Sequence, residues 1–191
     1  EVGKLTAIES VELVKPVLQQ GKKNLLEKWL KEDKLECSEQ LGDMIMQFQD
    51  PKMALAVYLR SNATEKVINC FMQTGDYENI IKYSNKVGFR PDYPMMLQHM
   101  VRQNPKAAEE FAKRLANNEG GSLIDVNSAV EVFMQMNRIQ ECTSFLLDAL
   151  KGNQPADGDL QTRLLEINLL GGAPQVADAI LGSNMISHYD R

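Results

Sequence analysis

Apolar residues recur at steps of three and four along almost the whole chain. Tyr77, Ile80, Ile81, Ser84 and Val87 fall on one face of a helix, and farther on Ile139, Cys142, Leu146, Ala149 and Leu150 do the same. No segment alternates apolar and polar residues as a half-buried strand would. The periodicity predicts twelve helices, at about 10–20, 22–32, 38–47, 51–60, 64–73, 76–87, 93–103, 105–117, 126–136, 138–150, 159–169 and 174–182. Gly21, Asn62, Gly75, Gly88, Asn104, Asn137 and Gly152 stand between the periodic segments, where Gly and Asn stop helices. Helices of about three turns are marginal alone in water, so their order has to come from packing on one another.

The same helix start occurs three times: Asp50-Pro51-Lys52-Met53-Ala54, Asn104-Pro105-Lys106-Ala107-Ala108 and Ala173-Pro174-Gln175-Val176-Ala177. Proline at the first helical position loses no hydrogen bond, because that N–H has no intrahelical acceptor. Ala54, Ala108 and Ala177 follow three residues later, and an apolar Val57, Phe111 or Ile180 comes six after the proline. The prolines are 54 and 69 positions apart (105 − 51 and 174 − 105). Those separations equal two helical hairpins of about 27 or about 34 residues, lengths typical of stacked-helix repeats. A second echo pairs Phe71-Met72-Gln73-Thr74-Gly75-Asp76-Tyr77 with Phe133-Met134-Gln135-Met136-Asn137-Arg138-Ile139. In both, a helix ends on a residue tolerant of left-handed backbone and another helix follows at once, which makes the two antiparallel neighbours.

A hairpin of this kind cannot hide its apolar stripe alone and must stack on those before and after it. The expected fold is therefore all-α, an α-solenoid of about six short antiparallel hairpins forming a single continuous unit over residues 1–191. The polar stretches 117–122 and 151–158 are expected to be exposed loops, since the hairpin rhythm resumes after each.

Composition narrows the function. The 191 residues are 43% apolar and 25% charged, as in ordinary globular proteins. The 26 acidic and 21 basic residues are interspersed, giving a net charge of −5 and no basic stripe to attract nucleic acid or an anionic membrane surface. No apolar run of about 18 residues offers a membrane span, so direct insertion is not expected. The opening Glu1-Val2-Gly3-Lys4-Leu5 has neither a methionine nor a signal-peptide core, which is the expectation for a piece of a longer chain. Cys37, Cys70 and Cys142 are odd in number and widely spaced, fitting reduced thiols used as small apolar fillers. In the sequon Asn62-Ala63-Thr64, Thr64 reads better as a helix N-cap than as part of a glycosylation site.

Catalysis needs convergent polar groups, and the sequence supplies none in a recognisable pattern. His99 and His188 are far apart and lack metal-ligand spacing to Cys, Asp or Glu. Glycine-rich phosphate loops and nucleophile elbows are absent. The reading is a non-enzyme with no catalytic, cofactor or metal site. Ten methionines, among them Met44, Met53, Met72, Met96, Met134 and Met136 at core-facing phase, either fill gaps between helices or line a soft peptide groove. Between residues 22 and 34, Leu25, Leu26, Trp29 and Leu30 share a face and leave Lys28 and Lys31 outward. That cationic face is either a solvated surface or a partner-contact face for an acidic or phosphorylated segment. Trp29 is expected to anchor the second helix on the third.

Longer runs carry a resemblance. The stretch from Glu9-Ser10-Val11-Glu12-Leu13-Val14-Lys15-Pro16 through Leu25-Leu26-Glu27-Lys28-Trp29-Leu30-Lys31-Glu32-Asp33-Lys34 to Cys37-Ser38-Glu39 resembles the clathrin heavy-chain family. So do Phe145-Leu146-Leu147-Asp148-Ala149-Leu150, the run Leu160 to Leu169, and Pro174 to Leu181 leading to His188-Tyr189-Asp190-Arg191. The resemblance spans the chain and is looser between about residues 44 and 136, which implies a divergent member. It implies a right-handed superhelix of helix pairs in the ankle and distal leg of a triskelion, on the cytoplasmic face of coated pits and vesicles. The implied partners are other heavy chains in the assembled lattice, with accessory proteins as a further class. By the same resemblance, light chains bind outside this segment. The runner-up function is an α-solenoid scaffold that docks accessory peptides on its exposed helix faces.

A compact domain of this length would have a radius of gyration of about 16 Å. Small-angle scattering should give a larger value, with a forward intensity matching one 21.5 kDa chain at micromolar concentration. A radius near the compact value, or a dimer mass, would overturn the continuous monomeric array.

Overall fold

In the computed structural model, which describes residues 3–190, the helices follow the apolar periodicity closely. Glu1, Val2 and Arg191, which belong to the opening and closing motifs above, lie outside the described residues. The chain forms two compact units, one ending at Arg90 and the other beginning at Pro91. The first holds α1 (Ala7–Gln19), α2 (Lys23–Lys31), α3 (Glu39–Gln47), α4 (Pro51–Arg60), α5 (Thr64–Thr74) and α6 (Tyr77–Val87). The second holds α7 (Tyr93–Gln103), α8 (Pro105–Ala116), α9 (Val126–Gln135), α10 (Ile139–Ala149), α11 (Gly158–Leu170) and α12 (Pro174–Gly182), with a 3₁₀ turn at Pro155–Asp157. Among the described residues there are no strands.

Six of the twelve α-helix starts among the described residues carry a side-chain cap. Asp50 and Asn104 accept from the backbone N–H groups of Met53 and Ala107, with Pro51 and Pro105 in the first turn. Pro174 opens α12 without a side-chain cap. Ala54, Ala108 and Ala177 are buried, as are Val57, Phe111 and Ile180. At α1 a capping box joins Thr6 and Glu9, so the helix begins at Ala7, a full turn before its apolar stripe. Thr64 differs from expectation: Ala63 is the capping position, no side-chain cap is made, and Thr64 is already inside α5.

Seven helix ends among the described residues share one device. A residue with left-handed backbone follows the helix, and the next N–H donates to the carbonyl five residues back, which is the Schellman closure. Asp76 donates to Phe71 at 2.9 Å beyond Gly75, and Arg138 to Phe133 at 2.9 Å beyond Asn137. The two echoing segments of the sequence are thus the same turn. It recurs from Lys22 to Val17, Lys34 to Trp29, Ala63 to Tyr58, Phe89 to Ser84 and Ala173 to Asn168. At the 151–158 loop, Asn153 rather than Gly152 takes the positive φ.

Within each unit most consecutive helices pack together, and several also pack on the helix two farther along. In the first unit α1 meets α2 and α3, and in the second α7 meets α8 and α9 while α8 meets α10. This is the packing of stacked hairpins. The α6 stripe is narrower than its sequence period suggests: Ile80 and Ser84 are buried, whereas Val87 is 44% exposed. Of the methionines at core-facing phase, only Met96 is fully buried, and Met44, Met53, Met72, Met134 and Met136 are half-buried.

Where helices approach most closely, a missing side chain permits it. Gly42 of α3 is buried against the Tyr58 ring of α4, and a Cβ at Gly42 would overlap that ring. Gly42→Ala should therefore destabilise the protein by about 1–3 kcal/mol, the range for overpacked cores, although alanine favours helix over glycine. Urea unfolding monitored by circular dichroism measures it, and an unchanged or raised midpoint would show that Tyr58 moves aside freely.

Candidate interaction surfaces

The cationic face expected on α2 forms as a solvated surface. The Lys28 and Lys31 side chains are 67% and 72% exposed, and each pairs along the helix, Lys28 with Glu32 at 3.8 Å and Lys31 with Glu27 at 2.8 Å. Exposed pairs of this kind contribute about 0–1 kcal/mol, so an incoming acidic group replaces them at little cost. Lys23 reaches out of the same helix to Asp50 at 3.2 Å.

The apolar side of α2 faces a different neighbour from the one expected. Trp29 is half-buried and, with Leu5, Leu13, Lys34 and Leu35, lines a groove of about 280 Å³. Its companions come from the segment before α1, from α1 itself and from the α2–α3 connection. Trp29 therefore faces α1 and the α2–α3 connection rather than α3 itself. Three ties hold the corner: Lys4 pairs with Asp33 at 2.9 Å, Leu5 N–H donates to the Lys34 carbonyl at 3.0 Å, and Arg60 donates to the Leu30 carbonyl at 2.6 Å.

Two polar clusters join hairpins. In the first unit Asp43 of α3 accepts from the Tyr58 hydroxyl at 2.6 Å and from Lys66 of α5 at 2.7 Å. Burial alone would raise the Asp43 carboxyl, but those two donors outweigh it and hold it below the usual aspartate value. Burial and the neighbouring carboxylate push the Tyr58 phenol upward. In the second unit Lys113 of α8 donates to Ser144 of α10 at 3.0 Å, and both contact Glu109. A Lys–Ser pair can act in nucleophilic catalysis only when the lysine is deprotonated. Here burial favours the neutral amine, yet the Glu109 hydrogen bond prevails and raises the Lys113 pKa, which favours the ammonium over the free base. Farther along α10, Asp148 accepts from Asn117 at 2.6 Å and pairs with Lys151.

Two of the three thiols are buried. Burial pushes the Cys70 and Cys142 thiols up to about 11 and about 12, far from the thiolate range. His99 is exposed on α7 beside Gln103, and His188 is exposed in the segment after α12. Among the described residues, no three His, Cys, Asp or Glu side chains gather as metal ligands, and no helix is long and apolar enough to cross a membrane.

The sequence of this chain has known relatives. Residues 117–191 match the family described as a region in clathrin and VPS. The chain is 54% identical over 189 residues to the clathrin heavy chain of Drosophila melanogaster, an alignment covering 99% of this chain and 11% of that one. It is 53% identical over 191 residues to the clathrin heavy chain of Dictyostelium discoideum, covering 100% and 11%. Against clathrin heavy chain 2 of Homo sapiens the identity is 53% over 189 residues, covering 99% and 11%. The chain thus spans about a tenth of the length of the relatives it matches.

The Asp148 cluster has a pH signature. Burial raises this carboxyl, but hydrogen bonds from Lys151 and Asn117 dominate and keep its pKa below the usual aspartate value. The stabilisation is therefore complete above the unfolded pKa and is lost as pH falls through the folded one. Asp148→Asn should lower stability at pH 7 by on the order of 1 kcal/mol and flatten the acid limb of stability against pH. Denaturant titrations from pH 7 to pH 2 measure this, and an acid limb identical in both proteins would exclude Asp148 as a source of it.

Proposed function

Since the chain belongs, as a segment, to the clathrin heavy-chain family, we propose that it is a structural piece of a coat leg, a curved semi-rigid rod in the polyhedral coat of coated pits and vesicles. The observation that carries this reading is identity at about half of all positions along the whole chain, to heavy chains of fly, slime mould and human. Function then lies in shape, with no residue performing chemistry. The reading takes residues 1–191 as a single continuous segment of that leg. An array in which each hairpin contacts only its neighbours distributes a bend over many small interfaces instead of breaking at one.

The partners in this reading are other heavy chains in the lattice, with light chains bound elsewhere on the parent chain, on the cytoplasmic face of the membrane. Each leg contact can be weak, because many act together across an assembly. A second reading, docking of accessory peptides, is favoured by the α2 face alone, where the exposed Lys28 and Lys31 carry only exchangeable ion pairs.

Lysine cross-linking with mass spectrometry, on coats assembled from full-length heavy chain with unassembled triskelia as control, tests the proposal. Lys28, Lys31 and Lys82 are exposed, whereas Lys113 is 21% exposed and held by Glu109 and Ser144, so it serves as an internal control. Links from the three exposed lysines to other legs, gained only in coats, are the expected result. No gain at any of them would remove these faces from the lattice, and reversal of Lys28 and Lys31 to Glu would then test the docking reading by loss of accessory-protein capture.

A further inference from the structure

After α12 the chain runs back across the start of α11, and its backbone is held there by side chains alone. The Oε1 of Gln161, a residue wholly buried, accepts from the N–H groups of Ser187 at 3.0 Å and His188 at 2.7 Å. Gln161 Nε2 donates to Asn153 Oδ1 at 3.0 Å, and that oxygen also accepts from the Ser187 N–H at 3.0 Å. Asn153 Nδ2 donates to Ser187 Oγ at 3.0 Å. Next to Gln161, Thr162 Oγ1 accepts from the Asp190 N–H at 2.8 Å while donating to the Gly158 carbonyl at 3.0 Å. Ile186 is buried at the head of this segment.

The fit extends to the backbone. A Cβ at Gly158 would stand 2.7 Å from the His188 carbonyl oxygen, closer than real contacts allow. Gly158 has an ordinary helical φ of −53°, so its own conformation does not call for glycine. What calls for it is the passage of the segment. Gln161, Asn153 and Thr162 thus do for these N–H groups what a neighbouring strand would do, which satisfies backbone donors that otherwise need water.

We propose that residues 186–190 form a latch, a strap whose side-chain clasp makes the α10–α11 loop, the first turns of α11 and the outgoing chain open and close as one cooperative unit. The clasp bypasses α12. Tension applied at Asp190 is carried across these hydrogen bonds into α11, and α12 is not peeled away first. The strap is therefore the element that sets how this unit yields.

Amide hydrogen exchange followed by NMR on the whole chain tests the latch. The Ser187, His188 and Asp190 amides should exchange at least about tenfold more slowly than in an unstructured peptide, with the same urea dependence as the Asn153 and Thr162 amides, as expected of one opening unit. Gln161→Ala should accelerate Ser187 and His188 about tenfold, the effect of losing roughly 1.4 kcal/mol of hydrogen bonding. Thr162→Val should accelerate Asp190 alone. Gly158→Ala should accelerate all three, even though alanine is the better helix former, so a loosened helix cannot account for that result. Unchanged exchange in α9 would show that the unit remains folded, and if Gln161→Ala failed to fold, the other two variants would still decide. Strap amides exchanging at peptide rates in the unaltered chain, or changing less than twofold in Gly158→Ala, would overturn the latch.

Discussion

The left-handed turn with its N–H closing on the carbonyl five residues back is the constraint on which the rest depends. Short helices joined this way must lie antiparallel, and the stripe of each is aimed by a turn that has almost no freedom. Glycine accepts the required backbone without steric cost, whereas a residue with a Cβ loses on the order of 1 kcal/mol there. The chain nevertheless uses Asp33, Asn62 and Asn137 at such turns, side chains that tolerate this region best after glycine. At Asp33 the carboxylate is also engaged by Lys4, so one residue both turns the chain and ties it to the segment before α1.

Turns of this kind fix neighbours within a hairpin but not one hairpin against the next. That second task falls to close approaches and to polar ties of long sequence separation. Gly42 lets the Tyr58 ring sit against α3, and the same tyrosine then hydrogen-bonds Asp43, which also receives Lys66 from α5. In the second unit Thr143 donates to Asn168 across α10 and α11 at 3.1 Å, and Asn168 donates to the Leu164 carbonyl at 2.8 Å, so the buried amide is satisfied on both sides. Such bonds add modest net stability, but leaving either partner unmatched is costly, which makes them specify register rather than strength.

The helices were legible because each stripe repeats at three and four and most stops are a Gly or Asn. The helix starts at Pro51, Pro105 and Pro174 were legible for the same local reason. Features set by distant parts of the chain were not. The strap after α12 has no periodicity, since its hydrogen bonds go to side chains, and Gly158 looks like any loop glycine until the His188 carbonyl is seen beside it. Thr64 misled because a hydroxyl residue before an apolar run resembles a cap, whereas the closure from Ala63 to Tyr58 already fixes the helix entrance one residue earlier. Trp29 misled because periodicity gives a face without saying which helix covers it. Lys28 and Lys31 could be placed on an outward face from sequence, but their partners Glu32 and Glu27 show how lightly that face is committed.

This difference between inner and outer polar groups bears on what the chain can do. Inside, Lys113 and Glu109 are mostly covered, and breaking them would strand charges of low exposure. Outside, the ion pairs of α2 and the Lys82–Glu78 pair of α6 lie in water, where exchange for another partner's charge is nearly neutral in free energy. In the coat-leg reading proposed above, a segment built this way keeps its internal geometry while its faces are free to make and release contacts. Reversible assembly requires that separation, because contacts strong enough to hold singly would not let go, and an interior that yielded with them would lose the shape that the contacts depend on.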